Sequence, residues 1–114
     1  MKTIQKPWGG EIIWAETARY AGKILIIDKG HRLSRQYHEK KEESIYVVGG
    51  RLRLEIGQNE NLTVKNLDVG ESYHVEPNTI HRFCAEDTNV VLFEVSTPEL
   101  DDVVRLEDDY SRNN

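Results

Sequence analysis

The sequence predicts an all-β domain, either a sandwich or a barrel, and three observations point to that fold class. Turn-forming Gly, Pro and Asn residues recur at short intervals along the chain. The segments between them are short and rich in Ile, Val, Leu, Tyr and Phe. No long segment with helical periodicity separates these runs. Short strands joined by closely spaced turns are typical of β-sandwiches and barrels.

Each strand is predicted from a run of β-branched or aromatic residues bounded by turn residues. In chain order, the predicted strands are Ile12–Trp14, Ala21–Ile27, Leu33–His38, Ser44–Val48, Arg51–Ile56, Leu62–Val64, Ser72–Val75, His81–Cys84 and Val90–Val95. The Gly49-Gly50 pair predicts a two-residue β-hairpin, because the turns of such hairpins need positive φ angles. The segment Glu99–Asp108, after Pro98, has helical or extended acidic character.

Length and composition predict one small soluble domain. The 114 residues suit a single domain, with a barrel over about residues 6–97 and a C-terminal extension over 98–114. With 15 Lys and Arg against 20 Asp and Glu, the formal charge is −5, which disfavours nucleic acid as a partner. No run resembles a membrane helix or a secretory signal, so no membrane partner is expected. The single cysteine, Cys84, cannot form an internal disulfide and favours a reducing, cytoplasmic setting.

Four polar residues form the candidate site. Gln36 and His38 lie on one face of a predicted strand, because side chains alternate with period two. Glu43 begins the next strand, and His81 begins a later one. Inside a barrel, these side chains would offer two imidazole nitrogens and two oxygens, a set that suits a divalent ion such as Zn, Mn, Fe, Co or Ni. From spacing alone, ordinary histidines and a solvated Glu43 remain an equally good interpretation.

Two spaced motifs resemble those of the cupin superfamily. They are Gly30-x5-Gln36-x-His38-x4-Glu43-x6-Gly50 and Gly70-x6-Pro77-x3-His81. Gln-x-His in place of the usual His-x-His resembles the cupin domain of type II mannose-6-phosphate isomerases, as do Lys6-Pro7-Trp8-Gly9 and the acidic segment ending at Arg112. The resemblance implies a double-stranded β-helix (jelly-roll) barrel. It also implies one divalent ion held by Gln36, His38, Glu43 and His81, with Zn first and Mn, Fe, Co or Ni as alternatives.

The chain also departs from that family's pattern. Glu39-Lys40-Lys41 stands where the family has His followed by Arg, and Ile45 stands where a Trp is common. Ser111 replaces the Gly of a final Tyr-Gly-Arg, and no segment of these 114 residues resembles a nucleotidyltransferase half. These differences concern the substrate more than the metal.

Aldose–ketose isomerisation needs a base, an electrophile for the carbonyl oxygen and a phosphate anchor. Lys23 is the first catalytic candidate, since the family uses that position, although a strand-edge lysine is an equal alternative. Arg82 is a second candidate beside His81, but alternation puts its side chain on the opposite face, where a surface salt bridge is as good an interpretation. Arg105 and Arg112 are candidate phosphate anchors or solvated arginines. The base is unassigned.

These observations favour a metal-binding cupin that isomerises a sugar phosphate of the mannose 6-phosphate and fructose 6-phosphate type. A non-catalytic sugar-binding or regulatory cupin is the alternative. A cupin dioxygenase is less favoured, because Gln36 departs from the His-rich iron sites of such enzymes. The expected partners are a carbohydrate or sugar phosphate and a second copy of the chain in a homodimer. Trp8, Trp14 and Tyr20 are expected to be core or interface anchors, and Cys84 a small buried hydrophobe.

Overall fold

Two antiparallel sheets make up the described part of the chain, residues 1–112 of the computed structural model. The strands are β1 (Lys2–Lys6), β2 (Gly9–Glu16), β3 (Ala21–Ile27), β4 (Arg35–Tyr37), β5 (Glu43–Gly49), β6 (Leu52–Ile56), β7 (Thr63–Leu67), β8 (Ser72–Val75), β9 (His81–Cys84), β10 (Val90–Ser96) and β11 (Val104–Glu107). One sheet has the order β1-β2-β3-β10-β5-β8, and the other has the order β11-β4-β9-β6-β7. Within residues 1–112 the one helical segment is a short 3₁₀ turn, Asn59–Asn61, and no helix is long and apolar enough to cross a bilayer. The all-β prediction is confirmed.

The inward-facing side chains of the barrel form an apolar part and a polar part. The apolar inward-facing residues form one core cluster, which comprises Trp8, Leu25, Ile27, Leu33, Ile45, Val47, Leu52, Leu54, Leu67, Phe83, Ala85, Val90 and Leu92. The same strands continue into polar inward-facing residues such as Lys23, Glu43 and Glu94. Core packing therefore fixes the backbone of the strands that carry the polar side chains.

The predicted hairpin at Gly49-Gly50 is wrong. β5 pairs with β10 and β8 in the six-stranded sheet, whereas β6 pairs with β9 and β7 in the other sheet. Gly50 does adopt the positive φ of 75° that the pair suggested. A Cβ there would lie 1.9 Å from the carbonyl oxygen of Asn89. The turn carries the chain from one sheet to the other, so Val47 and Leu52 enter the core from opposite sides.

Two strands lie outside the predicted set. β1 forms the edge of the six-stranded sheet beside β2, and β11 pairs with β4 at the edge of the other. The acidic segment after Pro98 is therefore partly extended, and it adds a strand to the second sheet. The last two residues of the predicted extension 98–114 lie outside the described residues.

Candidate metal centre

His38, Glu43 and His81 converge on one point inside the barrel, although they come from different parts of the chain. His38 follows β4, Glu43 begins β5 and His81 begins β9. One potential ligand atom from each lies within 4.8 Å of the other two. Glu43 Oε1 is 3.4 Å from His38 Nε2 and 3.3 Å from His81 Nε2. The three residues are 4%, 3% and 0% exposed, respectively, so water does not solvate these atoms freely.

Backbone carbonyls orient both imidazole rings. His38 Nδ1 donates to the carbonyl oxygen of Asp102 at 2.5 Å, and His81 Nδ1 donates to the carbonyl oxygen of Thr79 at 2.8 Å. With the proton on Nδ1, a ring without a second proton presents the lone pair of Nε2 to the centre of the cluster. Such hydrogen bonds on the far ring nitrogen are typical of histidines that bind metals.

Three buried acceptors thus face one another with no hydrogen-bond donor between them. His38 Nε2, His81 Nε2 and Glu43 Oε1 all lack a hydrogen-bond partner. Burial alone would raise the pKa of Glu43, but the positive charge of Lys41 opposes it, and the pKa lies well below its usual value. A buried carboxylate and two imidazole nitrogens without donors fit a divalent cation of the Zn, Mn, Fe, Co or Ni group.

Gln36 lies beside this cluster. It is opposite His81 in the pairing of β4 with β9, and it lines the cavity that is described below. Its Oε1 accepts a hydrogen bond of 2.8 Å from the buried Ser34 hydroxyl. The structure therefore brings His38, Glu43 and His81 together and places Gln36 on the neighbouring strand position, and the role of Gln36 as a ligand stays a prediction.

The divergent Glu39-Lys40-Lys41 stretch is held by its backbone. The Asp102 carboxylate accepts hydrogen bonds from the amides of all three residues, at 3.1, 2.7 and 2.9 Å. These amide donors lower the pKa of Asp102. The backbone carbonyl of Asp102 also accepts the hydrogen bond from His38 Nδ1. Asp102 therefore holds both the 39–41 loop and a candidate metal ligand in place.

Lys41, which was not a candidate from the sequence, lies against the cluster. It is 5% exposed, and its Nζ lies 3.4 Å from Glu43 Oε2 and 3.2 Å from Glu94 Oε2. Burial would lower the pKa of Lys41, but the two carboxylates outweigh it and raise the pKa. Burial, followed by the charge of Glu43, raises the pKa of Glu94 to about 8. Lys41 thus leaves Glu43 with one free oxygen, which faces the histidines.

The cluster opens into a cavity of about 460 Å³ between the two sheets. Its basic lining residues are Lys2, Lys6, Lys23, Lys41, Arg105 and Arg112, and its acidic ones are Glu11, Glu16, Glu43, Glu94 and Asp101. Among the described residues that line the cavity, positive charges outnumber negative ones by one before any metal is counted, whereas the chain as a whole carries −5. The local field thus favours an anionic ligand more than the net charge suggests.

The structure places three of the four candidate catalytic or binding residues in the cavity. Lys23 faces inward from β3, with its Nζ 3.5 Å from Glu11 Oε1. Arg105 faces inward from β11, opposite Gln36, and burial, followed by the charge of Arg112, lowers its pKa. The Arg112 guanidinium is held by the Asp108 carboxylate at 2.9 and 3.1 Å.

Arg82 lies elsewhere. Its side chain is on the outer face of the second sheet, as alternation from His81 predicts, and it is 1% exposed. The guanidinium donates to the carbonyl oxygen of Leu33 at 2.8 Å and to Asp109 at 3.2 Å. It therefore fastens the C-terminal segment to the barrel and does not line the cavity described above.

Several cavity residues were not among the candidates from the sequence. Lys2 and Lys6 are on alternate positions of β1, a strand that was not predicted. Glu94 interrupts the apolar run Val90–Val95, and an acidic residue at an inward-facing strand position was the available signal. Cys84, by contrast, is 5% exposed as expected, and burial raises the pKa of its thiol to about 11.

Solved structures similar to this one have the same barrel. KdgF from Halomonas sp. is 20% identical, with 89% of this chain and 91% of KdgF covered and a TM-score of 0.76. The capsular polysaccharide assembling protein CapF from Staphylococcus aureus is 17% identical, with 93% of this chain and 34% of CapF covered and a TM-score of 0.81. Oxalate decarboxylase from Bacillus subtilis, which has Mn(II) centres, is 18% identical, with coverages of 93% and 30% and a TM-score of 0.78. This chain thus spans about a third of CapF and of the decarboxylase.

These likenesses and the two facing sheets show that the fold is a double-stranded β-helix. A family model described as mannose-6-phosphate isomerase C-terminal matches residues 1–108, so the chain belongs to that family. Comparison with curated protein sequences gave no match.

Proposed function

We propose that this cupin binds one divalent metal ion and isomerises a sugar phosphate between its aldose and ketose forms, of the mannose 6-phosphate and fructose 6-phosphate type. The observation that carries the proposal is the set of three buried acceptor atoms, on His38, Glu43 and His81, that face one another without a donor. The family match over residues 1–108 supports the choice of reaction. Gln36 is proposed as a fourth ligand, and Zn is the first candidate ion.

When bound there, the metal would act as a Lewis acid on the oxygens at C1 and C2 of the sugar. The protein's own contribution begins with charge. The excess of basic side chains around the cavity would draw a dianionic phosphate toward a net-negative protein. Arg105 and Arg112, whose charges lie close enough to influence each other, are proposed to anchor the phosphate.

Lys23 is proposed to donate a hydrogen bond to the carbonyl oxygen as negative charge develops on it. The proton that moves between C1 and C2 needs a carboxylate that is not a metal ligand, and the two such carboxylates that are buried in the cavity are Glu11 and Glu94. Glu11 lies beside Lys23 at 3.5 Å, so a donor and an acceptor of protons stand next to each other. Comparing Glu11→Gln with Glu94→Gln would assign the base.

A non-catalytic sugar-binding cupin is the second candidate. Lys41 stands where the family has an arginine, and both Glu43 and Glu94 hold its ammonium group. A lysine held in this way does not reach a substrate freely. The barrel, the metal and the cationic cavity would then serve recognition alone.

The deciding experiment is an isomerase assay on metal-loaded protein with mannose 6-phosphate and a panel of other hexose and pentose phosphates. Turnover that is lost in His81→Ala and kept in His74→Ala, an exposed histidine outside the cavity, supports the proposal. Stoichiometric metal with sugar-phosphate binding but no turnover would favour the recognition module. Iron-dependent oxygen consumption would favour a dioxygenase. A cytoplasmic setting stays part of the proposal, since the one cysteine is buried and a reducing compartment suits it.

A further inference from the structure

Arg82 carries a buried positive charge that the proposed reaction does not use. It follows His81 in β9, so the two side chains lie on opposite faces of the second sheet. His81 faces the metal centre, whereas Arg82 lies on the outer face and is 1% exposed. Its Nε donates to the carbonyl oxygen of Leu33 at 2.8 Å. Because a guanidinium removed from water is costly unless it is paired, the partners of its other nitrogens indicate what the residue is for.

Those other nitrogens contact the C-terminal segment. Arg82 Nη1 lies 3.5 Å from Glu107 Oε2, and Nη2 lies 3.2 Å from Asp109 Oδ1. Arg32 donates two further hydrogen bonds to the Asp109 carboxylate, at 2.7 and 3.0 Å. Residues 107–109 are therefore attached to the barrel on both sides of Asp108.

Asp108, between these two attachments, holds Arg112. Its carboxylate is 6% exposed and accepts hydrogen bonds from Arg112 Nε at 2.9 Å and Nη2 at 3.1 Å, and from the Arg112 amide at 2.8 Å. The Arg112 guanidinium also lies over the ring of Tyr110, 5.5 Å from its centroid, and Tyr110 packs against the apolar core. Since Arg112 lines the cavity, its place there depends on where residues 107–109 are fixed.

We propose that Arg82 is a positioning residue for anion binding, which fixes residues 107–109 and thereby the guanidinium of Arg112 at the cavity. This inference rests on the proposed function, in which Arg112 helps to anchor the phosphate of the substrate. Arg82 does not line the cavity, so it acts only through the C-terminal segment. The Cα atoms of His81 and Arg82 are about 3.8 Å apart as neighbours in one strand. The strand that carries a candidate metal ligand thus also sets the place of a phosphate anchor.

Removal of the two carboxylates separates positioning from the general electrostatic field. Glu107 and Asp109 have side chains that are 49% and 42% exposed, and they lie outside the cavity. Replacing both by amides removes two negative charges from a chain with a net charge of −5. A less negative protein should attract a phosphate more strongly. A loosened Arg112, by contrast, should form weaker charge-assisted hydrogen bonds and lower the affinity.

The test is calorimetric titration of the metal-loaded protein with mannose 6-phosphate and with mannose. In Glu107→Gln/Asp109→Asn we expect the affinity for mannose 6-phosphate to fall on the order of 10-fold, with the affinity for mannose and the metal content unchanged. Arg82→Met should cause a similar loss, and adding it to the double variant should change little further, because the three groups act as one unit. Arg53→Met is the matched control, since Arg53 is an arginine on the same outer face that pairs with Glu55, and it should leave both affinities unchanged.

Hydrogen exchange adds a measurement that does not depend on the substrate. The Arg112 amide, which is bonded to Asp108, should exchange faster in Glu107→Gln/Asp109→Asn than in wild type. The double variant carries the test if Arg82→Met does not fold as judged by circular dichroism, because both of its substitutions are at exposed side chains.

Four outcomes would overturn the proposal. They are an unchanged or higher affinity for mannose 6-phosphate in the folded double variant, an unchanged exchange rate of the Arg112 amide, an equal loss of affinity for mannose, and a wild type that binds no mannose 6-phosphate. A wild type that binds mannose 6-phosphate without isomerising it contradicts the proposed reaction alone. In that case, a loss of affinity in the double variant still supports the positioning role of Arg82.

Discussion

Replacing Lys41 by Met would test how the barrel tolerates a charge cluster in its interior. The Lys41 ammonium lies 3.4 Å from Glu43 Oε2 and 3.2 Å from Glu94 Oε2, and all three side chains are at most 5% exposed. Methionine has a similar length and no charge, so the substitution removes the cation with little change in volume. Glu43 and Glu94 would then be left without their cationic partner in a buried place.

The cost follows from which carboxylate keeps its charge. A pKa of about 8 leaves Glu94 mostly protonated at pH 7, whereas Glu43, with its lowered pKa, stays ionised. Removing one partner of a buried ion pair typically costs about 3–5 kcal/mol, because the remaining charge is uncompensated. Since small domains are stable by about 5–15 kcal/mol, we expect Lys41→Met to remove a large part of the free energy of unfolding of the metal-free protein.

Metal affinity should change too, because Lys41 holds Glu43 Oε2 and directs Oε1 toward the histidines. Loss of such a supporting contact typically weakens metal binding about 10–100-fold. Urea unfolding followed by tryptophan fluorescence and zinc competition with a chelator would measure the two effects. Lys40→Met is the control, since Lys40 is exposed and adjacent. A loss below about 1 kcal/mol together with unchanged zinc affinity would refute the reasoning.

Further predictions concern acid, a turn and the cavity. The Arg112 guanidinium lowers the pKa of Asp108 to about 2. The ionised Asp108 therefore stabilises the folded protein above the unfolded pKa near 4, and this stabilisation is lost as the pH falls through the folded pKa. Asp108→Asn should therefore cost about 2 kcal/mol at pH 7 and much less at pH 2 in urea unfolding, and an equal cost at both pH values would contradict this. Gly50→Ala should destabilise more than Gly30→Ala in the same assay, because both have positive φ but only Gly50 approaches a carbonyl oxygen at 1.9 Å. Arg105→Ala should weaken binding of a sugar phosphate about 10–100-fold and leave the neutral sugar and the metal unaffected, as measured by calorimetry.

The sequence predicted best what depends on short-range pattern. Runs such as Ala21–Ile27, Ser72–Val75 and His81–Cys84 have the predicted bounds, because alternation and turn residues fix them locally. The hairpin prediction failed because Gly49-Gly50 reports a backbone angle and not the partner of the following strand. Pairing between distant strands decides that partner, and no local signal contains it.

The site divides in the same way. The spacing of His38, Glu43 and His81 was visible in the chain, and their convergence follows from the fold. The burial of Lys41 could not be predicted from the sequence, because its second partner, Glu94, comes from a strand far along the chain. The side chain of Arg82 faces away from the cavity, as alternation from His81 requires, so the period-two rule was a better guide than adjacency to a candidate metal ligand.

The most direct test of the central claim is the metal content of the purified protein, loaded in turn with Zn, Mn, Fe, Co and Ni, dialysed and measured by elemental analysis. One ion per chain is expected in wild type and in His74→Ala, and none in the His38→Ala/His81→Ala double variant. A wild type that retains none of these ions, or a folded double variant that still retains one per chain, would contradict the account.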